Sequence, residues 1–242
     1  MKRIIVLLWM CLLISACAKD EPALVKKDTP PIDPNTTPEL IKQTNDKEDV
    51  DEFIEFPLND EIIMVNLSRV PILQQYLQVA SDRDKKIEEM TIERVHQKDE
   101  NSVYLLEFSC NNTYCSYLLL DQNKENTGHL VADLATITQT KLSNDGSKLL
   151  LFFKRDSSLP LPLANIVVMD LEEWKPIQLI NLDENDVDVL NYRWPILSVD
   201  WLDNETISVS IPNIVEPTKE MIDGWQGDLK LTTTILLKTQ LE

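Results

Sequence analysis

The chain has 242 residues, 41 acidic against 23 basic side chains, a formal net charge of −18 and 43% hydrophobic residues. That apolar share suffices for one sizeable core, and the acidic balance argues against nucleic acid as a partner, because phosphate binding needs a basic face. With only four glycines (Gly128, Gly146, Gly224 and Gly227), neither a GxGxxG nor a GxxxxGK[ST] phosphate loop can be assembled, and His96 and His129 leave little for histidine-based catalysis.

Lys2 and Arg3 precede an apolar stretch at residues 4–14, eleven residues long. It is too short for a bilayer, which needs about 20 residues, and has the anatomy of a secretory signal. The stretch ends in Ile14-Ser15-Ala16-Cys17. This tetrapeptide resembles the bacterial lipobox, and the resemblance implies cleavage before Cys17 and a thioether-linked diacylglycerol on its sulfur. Acylation of the new amino terminus usually follows. Cys11 lacks small residues before it and does not compete. Each buried lipid methylene contributes about 0.8 kcal/mol, so the mature protein is expected to be tethered to a membrane through Cys17 without spanning it. Residues 1–16 are then a signal peptide, whose loss removes Lys2, Arg3 and no acid and takes the net charge from −18 to −20. The anchor would lie in the outer leaflet of a single plasma membrane. In a two-membrane envelope, Ala18 in place of a retaining aspartate implies the outer membrane.

Residues 17–52 read as a lipid-anchored, proline-rich acidic linker. They hold Pro22, Pro30, Pro31, Pro34 and Pro38 and no aromatic side chain before residue 53. Such composition predicts a disordered, extended spacer that holds the domain tens of ångströms off the membrane. The acidic run that begins at Asp46 reads as solvated chain. A single domain over 53–242 follows. In 66–80, Pro71, Ile72, Leu73, Tyr76 and Leu77 predict one short N-terminal amphipathic helix with proline in its first turn.

From about residue 87 the pattern changes to strands. Runs at 103–108, 115–120, 149–153, 166–169, 207–211 and 232–237 are short, apolar and bounded by turn formers. They predict a mostly-β fold, an antiparallel meander of hairpins. Three polar turns, at 98–102, 143–147 and 202–206, each lead into a strand, a loop and a second strand, and a spacing near 40–50 residues is that of propeller blades. Leu142-Ser143-Asn144-Asp145-Gly146-Ser147 and Trp201-Leu202-Asp203-Asn204-Glu205-Thr206 resemble the blade turn of Tol-type, WD40-like β-propellers. The resemblance implies blade-like sheets, a partial propeller, since three units are fewer than the four blades of the smallest usual ring. The local reason is that Asn, Asp and Gly tolerate the backbone of a tight hairpin.

Few residues offer chemistry. Cys110 and Cys115 bracket a turn between two expected strands, which in an exported protein predicts a structural disulfide. A redox pair and a zinc site shared with His96 and His129 are the weaker readings. The acidic run 182–188 lacks the alternation of a calcium loop. Trp174, Trp194 and Trp201 read mainly as packing, whereas Trp225, in the long 212–228 insertion, marks the first place to look for a ligand surface. No cofactor and no catalytic residues are assigned. The leading expectation is an extracytoplasmic lipoprotein that acts as a binding or assembly module for an envelope protein or glycan. Its rivals are a carboxylate-based envelope hydrolase and a subunit that completes a larger complex through an open sheet edge.

Overall fold

The structure is a computed structural model that describes residues 22–27, 29–44, 50–98, 101–122, 128–183, 187–227 and 229–240. Residues 1–21, and with them the expected signal peptide and Cys17, lie outside the described residues, as do 45–49 of the acidic run.

The first sheet holds β1 (Leu24–Lys27), β2 (Glu39–Thr44), β3 (Val50–Pro57) and β4 (Ile62–Asn66), in the order β1-β4-β3-β2. Strands therefore occupy 24–27, 39–44 and 50–52, so the expected disordered linker is corrected at those residues and ordered structure begins before residue 53. Ala23 and Leu24 are buried, Leu24 faces Val65 in the ladder, and the Asn66 amide donates to the Ala23 carbonyl at 2.9 Å. Averaged composition hid this. Pro30, Pro31, Pro34 and Pro38 all fall in the connection between β1 and β2, where no ladder needs their missing amide. The apolar pairs Leu24-Val25 and Leu40-Ile41 are short islands between those breakers.

The expected helix is α1 (Pro71–Val79), which buries Leu73 and Leu77 and is entered through a 3-10 turn at Leu67–Arg69. The Asn66 side chain accepts from the Ser68 amide at 3.0 Å and caps that turn. Two further helices, α2 (Arg83–Glu88) and α3 (Lys219–Gly227), correct the expectation of only one. Each buries a single side chain, Ile87 and Ile222.

The other ten strands form one continuous antiparallel ribbon. They are β5 (Thr91–Lys98), β6 (Asn101–Asn111), β7 (Tyr114–Asp121), β8 (His129–Leu142), β9 (Lys148–Arg155), β10 (Leu163–Asp170), β11 (Lys175–Asn181), β12 (Ser198–Trp201), β13 (Thr206–Pro212) and β14 (Thr232–Gln240). All six runs read from the sequence lie inside these strands. The order is β12-β13-β14-β11-β10-β9-β8-β7-β6-β5. Two strands change partner partway and divide the ribbon into three sheets. The first part of β8, up to Ala135, pairs with β7, and the rest, from Thr136, pairs with β9. Likewise Lys175, Pro176 and Ile177 of β11 pair with β10, while Gln178 to Asn181 pair with β14. The change in β8 occurs beside Leu134, whose φ is 46°, and Arg155 holds it by donating to the carbonyls of Leu134 and Asp133 at 2.9 and 2.6 Å.

Each of the four sheets is thus three consecutive strands with a fourth laid beside the last of them. The turns at 143–147 and 202–206 occupy matching places, between β8 and β9 and between β12 and β13. The turn at 98–102 joins β5 to β6, with residues 99 and 100 outside the described residues.

The sheets stack, because alternate residues of the inner strands feed opposite cores. On β6, Tyr104, Leu106 and Phe108 join the first sheet, α1 and α2 in one core, while Val103 and Leu105 join a second. On β9, Leu149, Leu151 and Phe153 enter that second core, where Phe153 meets Tyr117 with ring centroids 5.3 Å apart. Leu150 and Phe152 enter a third core with Val199, Ile207, Val209 and Leu237. Burial on both faces is why 149–153 is apolar without alternation. Among the described residues no buried cluster joins the first sheet to the last.

Candidate functional site

Three places in this stack hold the residues singled out by sequence. The first is the β6–β7 hairpin, where Cys110 and Cys115 form a disulfide with their Cα atoms 4.1 Å apart. The ladder is irregular between Phe108 and Asn111, and Ser109 and Asn112 take φ values of 54° and 57°. The disulfide therefore fastens a bulged tip, a small loop for which about 2 kcal/mol is a fitting order of stabilisation. Glu107, which sequence reading passed over, places Oε1 3.5 Å from Cys110 Sγ and 3.3 Å from Cys115 Sγ. Neither histidine joins them: among the described residues Glu107, Cys110 and Cys115 are the one cluster of three whose ligand atoms converge, within 4.8 Å. His129 instead meets the Trp174 carbonyl at 2.9 Å.

The second place is the long connection between β13 and β14. Within this insertion α3 carries Trp225, with Ile222 buried and Trp225 half-buried. The Trp225 indole donates to the Leu231 carbonyl at 2.6 Å, so the ring closes its own loop. The same connection carries the exposed apolar side chains Val215, Met221, Leu229 and Leu231. Trp174, Trp194 and Trp201 are buried, and the Trp201 indole donates to the Lys141 carbonyl at 3.1 Å. In the acidic run 182–188, residues 184–186 lie outside the described residues. Asp183 accepts from the Leu236 amide at 3.1 Å and Asp188 meets Arg193 at 3.0 Å, so both carboxylates serve local bonds.

The third is a cavity of about 300 Å³ where strand ends and turns meet, lined by His96, Lys98, Asp121, Gly146, Ser147 and Glu172 among others. Burial, with Lys98 nearby, pushes the His96 imidazole below its ordinary proton affinity. The adjoining turn is built around Asp145, whose Oδ1 accepts from the Ser143 hydroxyl at 2.6 Å and from the Ser147 amide and hydroxyl at 3.0 and 2.9 Å. Gly146 follows at φ 72°, a left-handed position that favours glycine. The Ser143 bond, followed by the Ser147 amide, pulls the Asp145 carboxyl down to about 2 from 3.8. A depressed carboxyl contributes its stability above the unfolded value and loses it as pH falls through the folded one. Asp145→Ala is accordingly expected to cost about 1 kcal/mol at pH 7 in urea unfolding, with the gap from the parent closing between pH 4 and pH 2. A gap unchanged at pH 2 would show that the turn does not depend on the charged form.

Glu52, Asp60, Glu89 and Asp203 are also held below the ordinary carboxylate range, chiefly by hydrogen bonds from Arg83, Arg94, Lys86 and the Glu205 amide respectively. The fold and these sites define a mostly-β protein of stacked antiparallel sheets with one stapled hairpin and one helical insertion. Comparison with protein families, with curated proteins and with solved structures finds no match to this chain.

Proposed function

We propose that this chain is an extracytoplasmic lipoprotein, acylated at Cys17, whose stacked-sheet domain serves as a binding or assembly module. The observation that carries the reading is the basic start, the apolar stretch at 4–14 and the lipobox-like Ile14-Ser15-Ala16-Cys17. The disulfide agrees with an oxidising compartment. The exposed apolar residues in the connection that carries Trp225 are the material a binding module would use for contact.

The fold changes the geometry of the tether. Only five residues lie between Cys17 and the buried Ala23, a span of about 20 Å when fully extended. An anchored domain is therefore held close to the membrane, where a linker to residue 53 would let it stand off several times further.

The rival in which an open sheet edge recruits another strand has less support. β5 is charged with Glu93, Arg94 and Lys98 and shifts register between Arg94 and His96, while β12 has only four residues. Charges, bulges and short edge strands all discourage edge pairing.

Intact mass of the membrane-extracted protein tests the lipoprotein reading. The expected species begins at Cys17, carries added acyl mass and is two hydrogens light for Cys110–Cys115, and Cys17→Ser leaves the precursor unprocessed. An unmodified chain that keeps residues 1–16 would overturn the reading.

A further inference from the structure

We propose that the reduced β6–β7 hairpin binds a thiophilic divalent cation such as zinc, with Cys110, Cys115 and Glu107 as its protein ligands. The observation is the position of the Glu107 carboxylate. Its Oε1 sits 3.5 and 3.3 Å from the two sulfurs. In the disulfide neither sulfur carries a proton, so the oxygen faces two electron-rich atoms that can donate nothing to it. A staple alone has no use for an acid there.

Opening the bond turns the same arrangement into a complementary one. In the disulfide form the two sulfurs and the carboxylate oxygen already lie within 4.8 Å of one another, and once reduced they are the donor types that zinc accepts at about 2.3 Å for sulfur and about 2.1 Å for oxygen. The surroundings suit a site as well. Nearby, the Tyr117 hydroxyl accepts from the Ile137 amide at 3.3 Å, and Tyr117 lines one cavity with Glu107. This cavity, of about 220 Å³, is also lined by Glu93 and Ile137. The net charge of −18 raises the local concentration of cations.

The chemistry balances with one external reagent. A dithiol supplies two electrons and two protons to the Cys110–Cys115 bond and leaves as its own disulfide. The cation then displaces the two thiol protons to solvent. The hairpin would thus exchange a covalent staple for a metal staple at the same tip.

The full chain with Cys11→Ser and Cys17→Ser, in which the hairpin holds the only thiols, tests this. After reduction with dithiothreitol and its anaerobic removal, the chain is titrated with Cd²⁺ alone and with Zn²⁺ against a chromophoric chelator. The expected result is one cation per chain and sulfur-to-cadmium charge-transfer absorption. The oxidised chain and Cys110→Ser should lack that absorption, and Glu107→Gln should bind at least about tenfold more weakly. Two titratable thiols without the absorption, or equal affinity in Glu107→Gln, would overturn the three-ligand site. If reduction unfolds the chain, by circular dichroism, the cation must restore the β signal, and failure to do so also overturns the proposal.

Discussion

Replacing Leu24 with alanine is expected to lower the unfolding free energy by about 3 kcal/mol. Leu24 is 1% exposed in the core between the first two sheets, with Ile54, Phe56, Ile63 and Val65 around it. Truncation removes its methyl groups from that core and leaves a void that β1, pinned by its ladder to β4, cannot collapse to fill. In a spacer the same change would stay within about 0.5 kcal/mol. Ile32→Ala is the matched control, because Ile32 lies in the connection between β1 and β2 and is fully exposed. Urea unfolding decides: a midpoint lowered by about 1 M for Leu24→Ala at unchanged slope, and no shift for Ile32→Ala, place β1 inside the cooperative fold. Equal, negligible shifts would return residues 17–52 to a linker.

How far the fold was legible follows from where each strand is buried. The inner strands β6, β7, β9 and β10 lie between two cores, so their sequences are near-continuous apolar runs that stand out from any background. In the first sheet β4 is a buried apolar run, but β1, β2 and β3 have thin apolar faces, as in Glu39-Leu40-Ile41-Lys42, and sit in proline-rich or acidic surroundings where local averages point to disorder. The three repeat units read from the sequence lie in three of the four sheets found among the described residues. For the candidate sites, the Cys110–Cys115 pairing was readable because a hairpin turn brings sequence neighbours together. Glu107 was not, because its importance lies in a bulge that swings Cys110 onto its side of the strand, and register irregularities leave no compositional trace. The helix around Trp225 was missed although Met221, Ile222 and Trp225 fall at helical spacing, because Gly224, Gly227 and the surrounding polar residues point to a turn.

The same blindness to tertiary pairing hid Glu61, whose replacement by alanine is expected to cost about 3 kcal/mol. Its carboxylate is 1% exposed and joins three strands: Oε1 accepts from Arg94 of β5 at 3.0 Å and from the Tyr104 hydroxyl of β6 at 2.9 Å, while Oε2 meets Lys26 of β1 at 3.0 Å. Alanine removes the acceptor of a fully buried phenol and the counter-charge of two cations. Asp60, 3.1 Å from Arg94, and the partial exposure of both cations limit the loss below that of a wholly buried pair. Glu61→Gln keeps an oxygen for Tyr104 and should cost about half as much, and Arg94→Met combined with Glu61→Ala should cost less than the sum of the two. The cluster also sets an alkaline limit. Burial, reinforced by Glu61, pushes the Tyr104 phenol up to about 12, and burial does the same for Tyr117. A raised folded value keeps its full stabilisation below the unfolded value of 10 and loses it as pH climbs to 12, since the unfolded phenol ionises first. Urea midpoints should therefore fall across that window, with phenolate absorbance rising at the unfolding step. A Glu61→Ala loss under 1 kcal/mol would mean that apolar packing alone holds the first sheet to the second.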